Sequence, residues 1–438
     1  MKRQLNFFAA LATVMGTMIG GGVFFKITNV SALTHNAWLS IIVWPLAGLI
    51  TLMAGLSIAE LAAIFPENGG PVKYLEKIYG AQVAFLFGWS LIIIYYPANI
   101  AALAIVFATQ FKALPFFNNW STTLIALLVM LLILVINWLG AKLSSQVQKL
   151  ALIVKLLPIA AIILFALFYP GPNQLQQAPV PHWSTSLGTW TFGQALLAVL
   201  FAYDGWLSIG NLAGEIKNPA KTLAQAIIWG LLGVTIIYTL LNWSYIRVLP
   251  WSHIVNNSKT AMLTAEQLFG AVGGNLVVAG ILVSLFGAMN GHLLVGSRMP
   301  YILGQEKQLP LANFFGQLNE KTFVPTNSML FECAIATIMI FSGTFDSLTD
   351  MLVYVSWIFS ILLFVGIFIL RRQQPELKRP YKIPGYPWPP ILAIVGALFI
   401  VITTTVTQPI LAMIGILLTL SGEPVYLYVH RSVHKTKS

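Results

Sequence analysis

The feature that most constrains this chain is the recurrence of long apolar runs, about twelve of them, each near the 20 residues that a helix needs to cross a bilayer. Inside hydrocarbon every backbone N–H and C=O must find its partner within the protein, which restricts such runs to helices or a closed barrel. The runs are read as spans over residues 7–32, 38–64, 80–110, 121–138, 145–169, 190–214, 225–246, 271–302, 327–343, 347–370, 389–406 and 408–429. With 58% hydrophobic and only 8% charged residues among 438, a soluble globular domain is excluded. The first run begins close to Met1, has no small-residue cleavage site and is followed by many others. It is therefore expected to remain as a span rather than act as a removable signal.

The connections carry the charge. Of the 24 basic residues, only Lys112, Arg247 and Lys259 fall on one side of the expected membrane, and only Lys26 and Lys155 lie within spans. All the others fall on the opposite side, including Lys2, Arg3, Lys73, Lys77, Arg371, Arg372, Arg379 and Arg431. By the positive-inside rule both termini are expected in the cytoplasm. The net charge of +11 is thus chiefly a topology signal and does not imply nucleic acid, although the basic loop Arg371 to Lys382 is placed to touch anionic lipid. The single cysteine, Cys333, lies in an apolar run, so no internal disulfide forms and a disulfide-linked partner is not expected.

Two spans are interrupted near their middle. The first contains Gly16-Thr17-Met18-Ile19-Gly20-Gly21-Gly22, and glycine costs roughly 1 kcal/mol relative to alanine in a helix interior. The sixth contains Phe201-Ala202-Tyr203-Asp204-Gly205-Trp206. A broken helix in a bilayer must be buried in protein or line a polar cavity. Gly16 and Gly20 also form a GxxxG pattern, which alone describes a helix-packing face. The two breaks lie five spans apart, however, and a repeat of five spans is inverted in the membrane, the arrangement in which paired broken helices build a midplane site. The expected organisation is one repeat over residues 1–170, a second over 190–370, and a remainder over 371–438.

An unwound helix offers free amides at the start of its second half and free carbonyls at the end of its first. The amides of Gly21 and Gly22 suit a carboxylate, and the carbonyls near Met18, Phe201 and Asp204 suit an ammonium group. Thr17, Met18, Ile19, Gly20, Gly21, Gly22, Phe201, Ala202, Tyr203 and Asp204 are therefore the candidate binding residues. Lys155, about ten residues into the fifth span and so roughly 15 Å deep, is the midplane cation. It is placed to stand in for a sodium ion against the first break and Ser284, to tether helices, or to carry protons. Asp204 is read as an ion-pair partner, a receiver of a cationic group, or a helix cap. Tyr238 is read as a donor to helix one or to a ligand, or as a packed aromatic. Gly16 completes the gating and coupling set with Lys155, Phe201, Tyr238 and Ser284. Glu332 is expected to be buried against a neighbour.

Enzymatic constellations are missing. The histidines are scattered, and the helically spaced pair His430 and His434 lies in the tail, so no metal site is expected. The glycine stretch has neither G-x-G-x-x-G nor G-K-[ST], so no nucleotide and no cofactor are expected.

These residues resemble the amino acid-polyamine-organocation superfamily of secondary transporters. The first-helix signature is Gly16 to Phe24; Ala59-Glu60-Leu61 with Pro66, Gly69-Gly70, Tyr74 and Gly80 follows the pattern around its second helix. Gly214-Glu215-Ile216-Lys217-Asn218-Pro219 resembles its loop after helix six, and Ser284 to Gly291 with Ser297-Arg298 resembles helix eight of the L-type amino acid transporter branch. The resemblance implies an all-α membrane fold of 12 transmembrane helices, the LeuT-type fold with a 5+5 inverted repeat and broken helices 1 and 6. It implies sodium-independent exchange of small neutral amino acids such as alanine, serine and cysteine, with Phe201 as a gate. Proton-coupled symport and exchange of cationic amino acids or polyamines are its alternatives. It further implies a bacterial inner-membrane protein that works without a disulfide-linked glycoprotein subunit, with an amino acid substrate and membrane lipid as partners.

Overall fold

The computed structural model describes residues 6–66, 69–171, 173–181, 189–207 and 219–435. Among these, helices are the only regular secondary structure. They are α1 (Phe7–Met18), α2 (Gly22–Thr34), α3 (Ala37–Ile64), α4 (Gly70–Tyr79), α5 (Ala81–Ser90), α6 (Tyr96–Phe111), α7 (Thr122–Trp138), α8 (Ala141–Val154), α9 (Leu156–Leu167) and α10 (Trp190–Ala202). There follow α11 (Pro219–Val248), α12 (Thr260–Gly296), α13 (Arg298–Gln305), α14 (Ala312–Phe315), α15 (Thr326–Ser342), α16 (Phe345–Gln373), α17 (Trp388–Thr407), α18 (Pro409–Leu420) and α19 (Gly422–Lys435). A π-helical turn, Leu91–Tyr95, joins α5 to α6.

Among the described residues, seven helical stretches are long and apolar enough to cross a membrane. Up to eight are, if the pair Ala10–Met18 and Gly22–Thr34, bent by 43°, is one span. The shorter apolar helices α7, α9, α10 and α15 take up the other expected runs. Polar residues fix where several helices begin. Asn36 Oδ1 accepts the amides of Trp38 and Leu39 to start α3, Ser121 caps α7 and Thr189 caps α10.

The chain forms two compact units. The first comprises Met1–Ala84, Pro158–Val277 and Ser356–Pro409. Its largest contact runs along α3 and α11, where Gly48 and Gly55 admit Thr235, Leu231 and Ile227 at positions a Cβ would occupy. At the end of α3, Glu60 is buried and receives the Arg371 guanidinium through Nε at 3.0 Å and Nη2 at 2.6 Å. The Ile383 amide adds a 2.9 Å bond, and Arg379 stands 3.7 Å away. Arg371 also stacks on Tyr386, 3.6 Å from the ring centroid. Burial, with the Glu60 charge second, pushes the Tyr381 phenol in this loop up to about 12. Of the loop expected to touch anionic lipid, Arg371 is paired with this interior carboxylate, and Arg379 donates to the carbonyls of Leu370, Gln374, Pro375 and Leu377.

The second unit comprises Phe85–Leu157, Val278–Val355 and Ile410–Ser438. Phe85, Ile92, Leu303, Leu309 and Phe315 form a hydrophobic cluster in it. Asn137, Ser144 and Asn290 close a buried polar knot: Asn137 Nδ2 donates to Asn290 Oδ1 at 2.9 Å, and Asn290 Nδ2 donates to the Ser144 carbonyl at 3.0 Å. This knot fastens α7, α8 and the later part of α12 with side-chain bonds that have no competing water. Glu332 is fully buried, as expected, with Oε2 and Tyr96 both crowding the position of Gly296. Neither of its carboxyl oxygens has a hydrogen-bond partner among the described residues.

The fifth run departs from expectation. It is read from sequence as one span over 145–169, but the helix is interrupted at Lys155, between α8 and α9. Pro158 explains this, because it has no amide to give the carbonyl four residues back, that of Val154, and its ring crowds that carbonyl.

Candidate functional site

Within the first unit the first expected break is present, α10 ends where the second is expected, and the two places lie against each other; residues 208–214, which would continue the sixth run, lie outside the described residues. α1 ends at Met18, three non-helical residues follow, and α2 starts at Gly22. Among the described residues the amides of Gly20, Gly21 and Gly22 have no backbone acceptor, as the start of a helix dictates. α10 ends at Ala202, and the chain turns through Tyr203, Asp204 and Gly205. The Asp204 amide closes that turn on the Phe201 carbonyl at 3.1 Å.

Glycine is required where the breaks meet. A Cβ on Gly22 would stand 2.7 Å from Ala202 Cα, and one on Gly205, whose φ is 105°, would stand 2.9 Å from the Thr17 carbonyl oxygen. Gly20 differs: a Cβ there would meet only the Met18 carbonyl, at an ordinary 3.8 Å. Its side therefore faces no neighbouring helix, which removes the packing-face reading at that glycine. The Thr17 hydroxyl lies 2.9 Å from the Val14 carbonyl and 3.3 Å from that of Gly205, on the other break.

Tyr238 of α11 joins the two. Its hydroxyl lies 2.8 Å from the Met18 carbonyl and 2.9 Å from that of Ala202, so one O–H serves the last carbonyls of α1 and α10. The ring is held by Tyr203, edge-on at 5.2 Å, and by Trp44 at 5.9 Å, while Tyr203 donates to the Trp44 carbonyl at 2.9 Å. These bonds refine the expected ammonium site. The Met18 carbonyl already accepts Tyr238 and the Phe201 carbonyl already closes a turn, so each offers only its second lone pair. Ile19 is buried in the same stretch, and Phe201 is buried with Lys26 Nζ over its ring at 5.5 Å. Asp204 is half-buried at the end of α10.

In the second unit, Lys155 is buried at the gap between α8 and α9, its amide still bonded to the Ala151 carbonyl. The α8 and α12 helices approach in antiparallel steps, Gln148 against Gly291 and Ala151 against Gly287. One turn further along, that register sets Lys155 level with Ser284. The Ser284 hydroxyl is buried and makes no hydrogen bond among the described residues, so the expected ammonium-to-hydroxyl bond is not formed in this conformation.

Tyr238 donates to helix one as expected from the sequence, while Trp44, which holds Tyr203 and Tyr238, and the Glu60 clasp at the end of α3 carry no local sequence signal. Lys26 was counted only as a charge inside a span. The loop Gly214 to Asn218, Lys2, Arg3 and Lys437 lie outside the described residues.

Apolar helices of membrane length, with an interrupted first helix clasped to the end of α10, point to a multi-pass membrane transporter. The profile of the amino acid permease family matches residues 5–423, and the chain belongs to that family, within the amino acid-polyamine-organocation superfamily. It is 38% identical over 427 residues to the serine/threonine exchanger SteT of Bacillus subtilis (strain 168), covering 97% of this chain and 96% of that one. More distant relatives include the human b(0,+)-type amino acid transporter 1, 27% identical over 437 residues, with 98% and 88% coverage. The human cystine/glutamate transporter is 27% identical over 438 residues, with 97% and 85% coverage.

Proposed function

We propose that this protein exchanges small neutral L-amino acids across the bacterial inner membrane without sodium, by alternating access. The observation that carries the reading is the Tyr238 hydroxyl shared by the Met18 and Ala202 carbonyls, which brings two helix ends and a set of unused amides to one place. A zwitterion matches that place: its carboxylate takes the amides of Gly21 and Gly22 at the start of α2, and its ammonium takes the carbonyls of the break with Asp204 beside them. Gly20 leaves room for the substrate backbone, and Phe201 gates the site. The 38% identity to a serine/threonine exchanger supports small substrates and antiport.

In this reading twelve helices cross the membrane as two inverted repeats of five and a final pair, with both termini in the cytoplasm and no second subunit. Lys155 does the work of a coupling cation, engaging Ser284 when the transporter changes state. Purified protein in liposomes loaded with serine is expected to take up labelled serine, and empty liposomes are not. Uptake into empty liposomes that collapses without a proton gradient would replace exchange by proton symport with Lys155 as carrier. Binding without flux in either direction would make the protein a receptor.

A further inference from the structure

We infer that Lys26 is a charge-selecting residue of this site, one that turns away amino acids with cationic side chains. The inference rests on the exchanger reading above. α2 lies on the end of α10 with its first residue, Gly22, against Ala202. One turn further along α2 is Lys26, and on α10 the residue before Ala202 is Phe201. The Lys26 side chain is 0% exposed, and its Nζ stands over the Phe201 ring at 5.5 Å from the centroid. It is surrounded in sequence by buried Val23, Phe24, Phe25 and Ile27, positions that any apolar residue fills without the cost of desolvating an ammonium group. A cation kept in such a place marks function by default.

Its partner ring belongs to the residue that begins the break. Phe201 is bonded through its carbonyl to the Asp204 amide, so a positive and a negative side chain flank the same helix end. Lys26 is fully buried, so its field is screened less than that of a surface charge. The positive field of Lys26 adds to that of the α2 amides and favours the substrate carboxylate. It opposes an ammonium or guanidinium on the substrate side chain, while Asp204 opposes a side-chain carboxylate. A neutral side chain is the one that neither charge rejects. The presence of Asp204 therefore does not make this a carrier of cationic amino acids.

Counterflow of labelled serine in liposomes, competed by unlabelled lysine, glutamate and alanine, tests this with wild-type protein, Lys26→Met, Lys26→Arg and Asp204→Asn. Wild-type exchange of serine must be seen first; its absence overturns the exchanger reading and this inference with it. With exchange present, Lys26→Met is expected to improve lysine over alanine at least tenfold, and Lys26→Arg to keep the wild-type preference. An unchanged lysine-to-alanine ratio in a Lys26→Met protein that still exchanges serine overturns the role of Lys26 and leaves the exchanger reading standing. If Lys26→Met does not fold, Asp204→Asn decides. With the Asp204 charge removed, glutamate is expected to gain at least tenfold over alanine, and no gain overturns the inference.

Discussion

At the scale of single residues, the site is set by where a Cβ fits and where one proton is shared. Gly22→Ala drives a methyl group into Ala202 and is expected to destabilise by about 1 to 3 kcal/mol, read as an earlier melt in detergent. Gly20→Ala has room in the fold and is expected to melt as wild type while exchange falls, because its methyl group occupies ligand space. Equal melting and equal exchange in both variants would show that neither glycine serves the break. Tyr238→Phe leaves the buried carbonyls of Met18 and Ala202 without their donor and is expected to cost about 1 to 3 kcal/mol, with exchange lost at temperatures where the protein remains folded. Full activity in that variant would show that the clasp is dispensable. The glycines were legible in the sequence because three in a row contradict a helix. Which of them the fold needs was not, since that depends on Ala202 and Thr17, each contributed by the other break.

At the scale of helices, length and apolarity were legible because a bilayer demands both, and α3 follows its expected run to within a residue. The interruption of the fifth span at Lys155 is carried by Pro158, a signal that unbroken apolarity over 145–169 hides. The Glu60 clasp was beyond reach of any local pattern, since Arg371 lies 311 residues away along the chain. Glu60→Gln is expected to cost about 3 to 5 kcal/mol, because it strands buried guanidinium charge, and the Arg371→Leu, Glu60→Leu pair is expected to recover most of it. Thermal melts of the three proteins measure this, and a wild-type melt for Glu60→Gln would mean the pair is worth no more than a surface bridge. Lys155→Ala is expected to abolish exchange with expression intact. Near-normal flux in that variant would remove Lys155 from the mechanism.

At the scale of the whole chain, the two compact units are threaded through one another in sequence, with boundaries near residues 84, 157, 277, 355 and 409. Four of these boundaries fall inside helices, α5, α9, α12 and α16, and the fifth falls at the first residue of α18. Hydrophobicity could not foretell them, since an apolar run reads the same on either side of such a point. Cys333, the single cysteine, is 5% exposed and sits beside the buried Glu332. It is expected to resist maleimide in the folded protein and to react once detergent and heat unfold the second unit. Non-reducing gels are expected to show no disulfide-linked species, and rapid labelling of native protein would show that this unit opens on the experimental timescale.

One hydroxyl proton serves two carbonyls at Tyr238, and this has a mechanical meaning. A three-centre bond is under-filled from the start, so drawing one helix end away lets the proton settle wholly on the other. The separation then forfeits part of one interaction rather than all of two. A joint of this kind holds the two helix ends in register and loosens in steps rather than all at once.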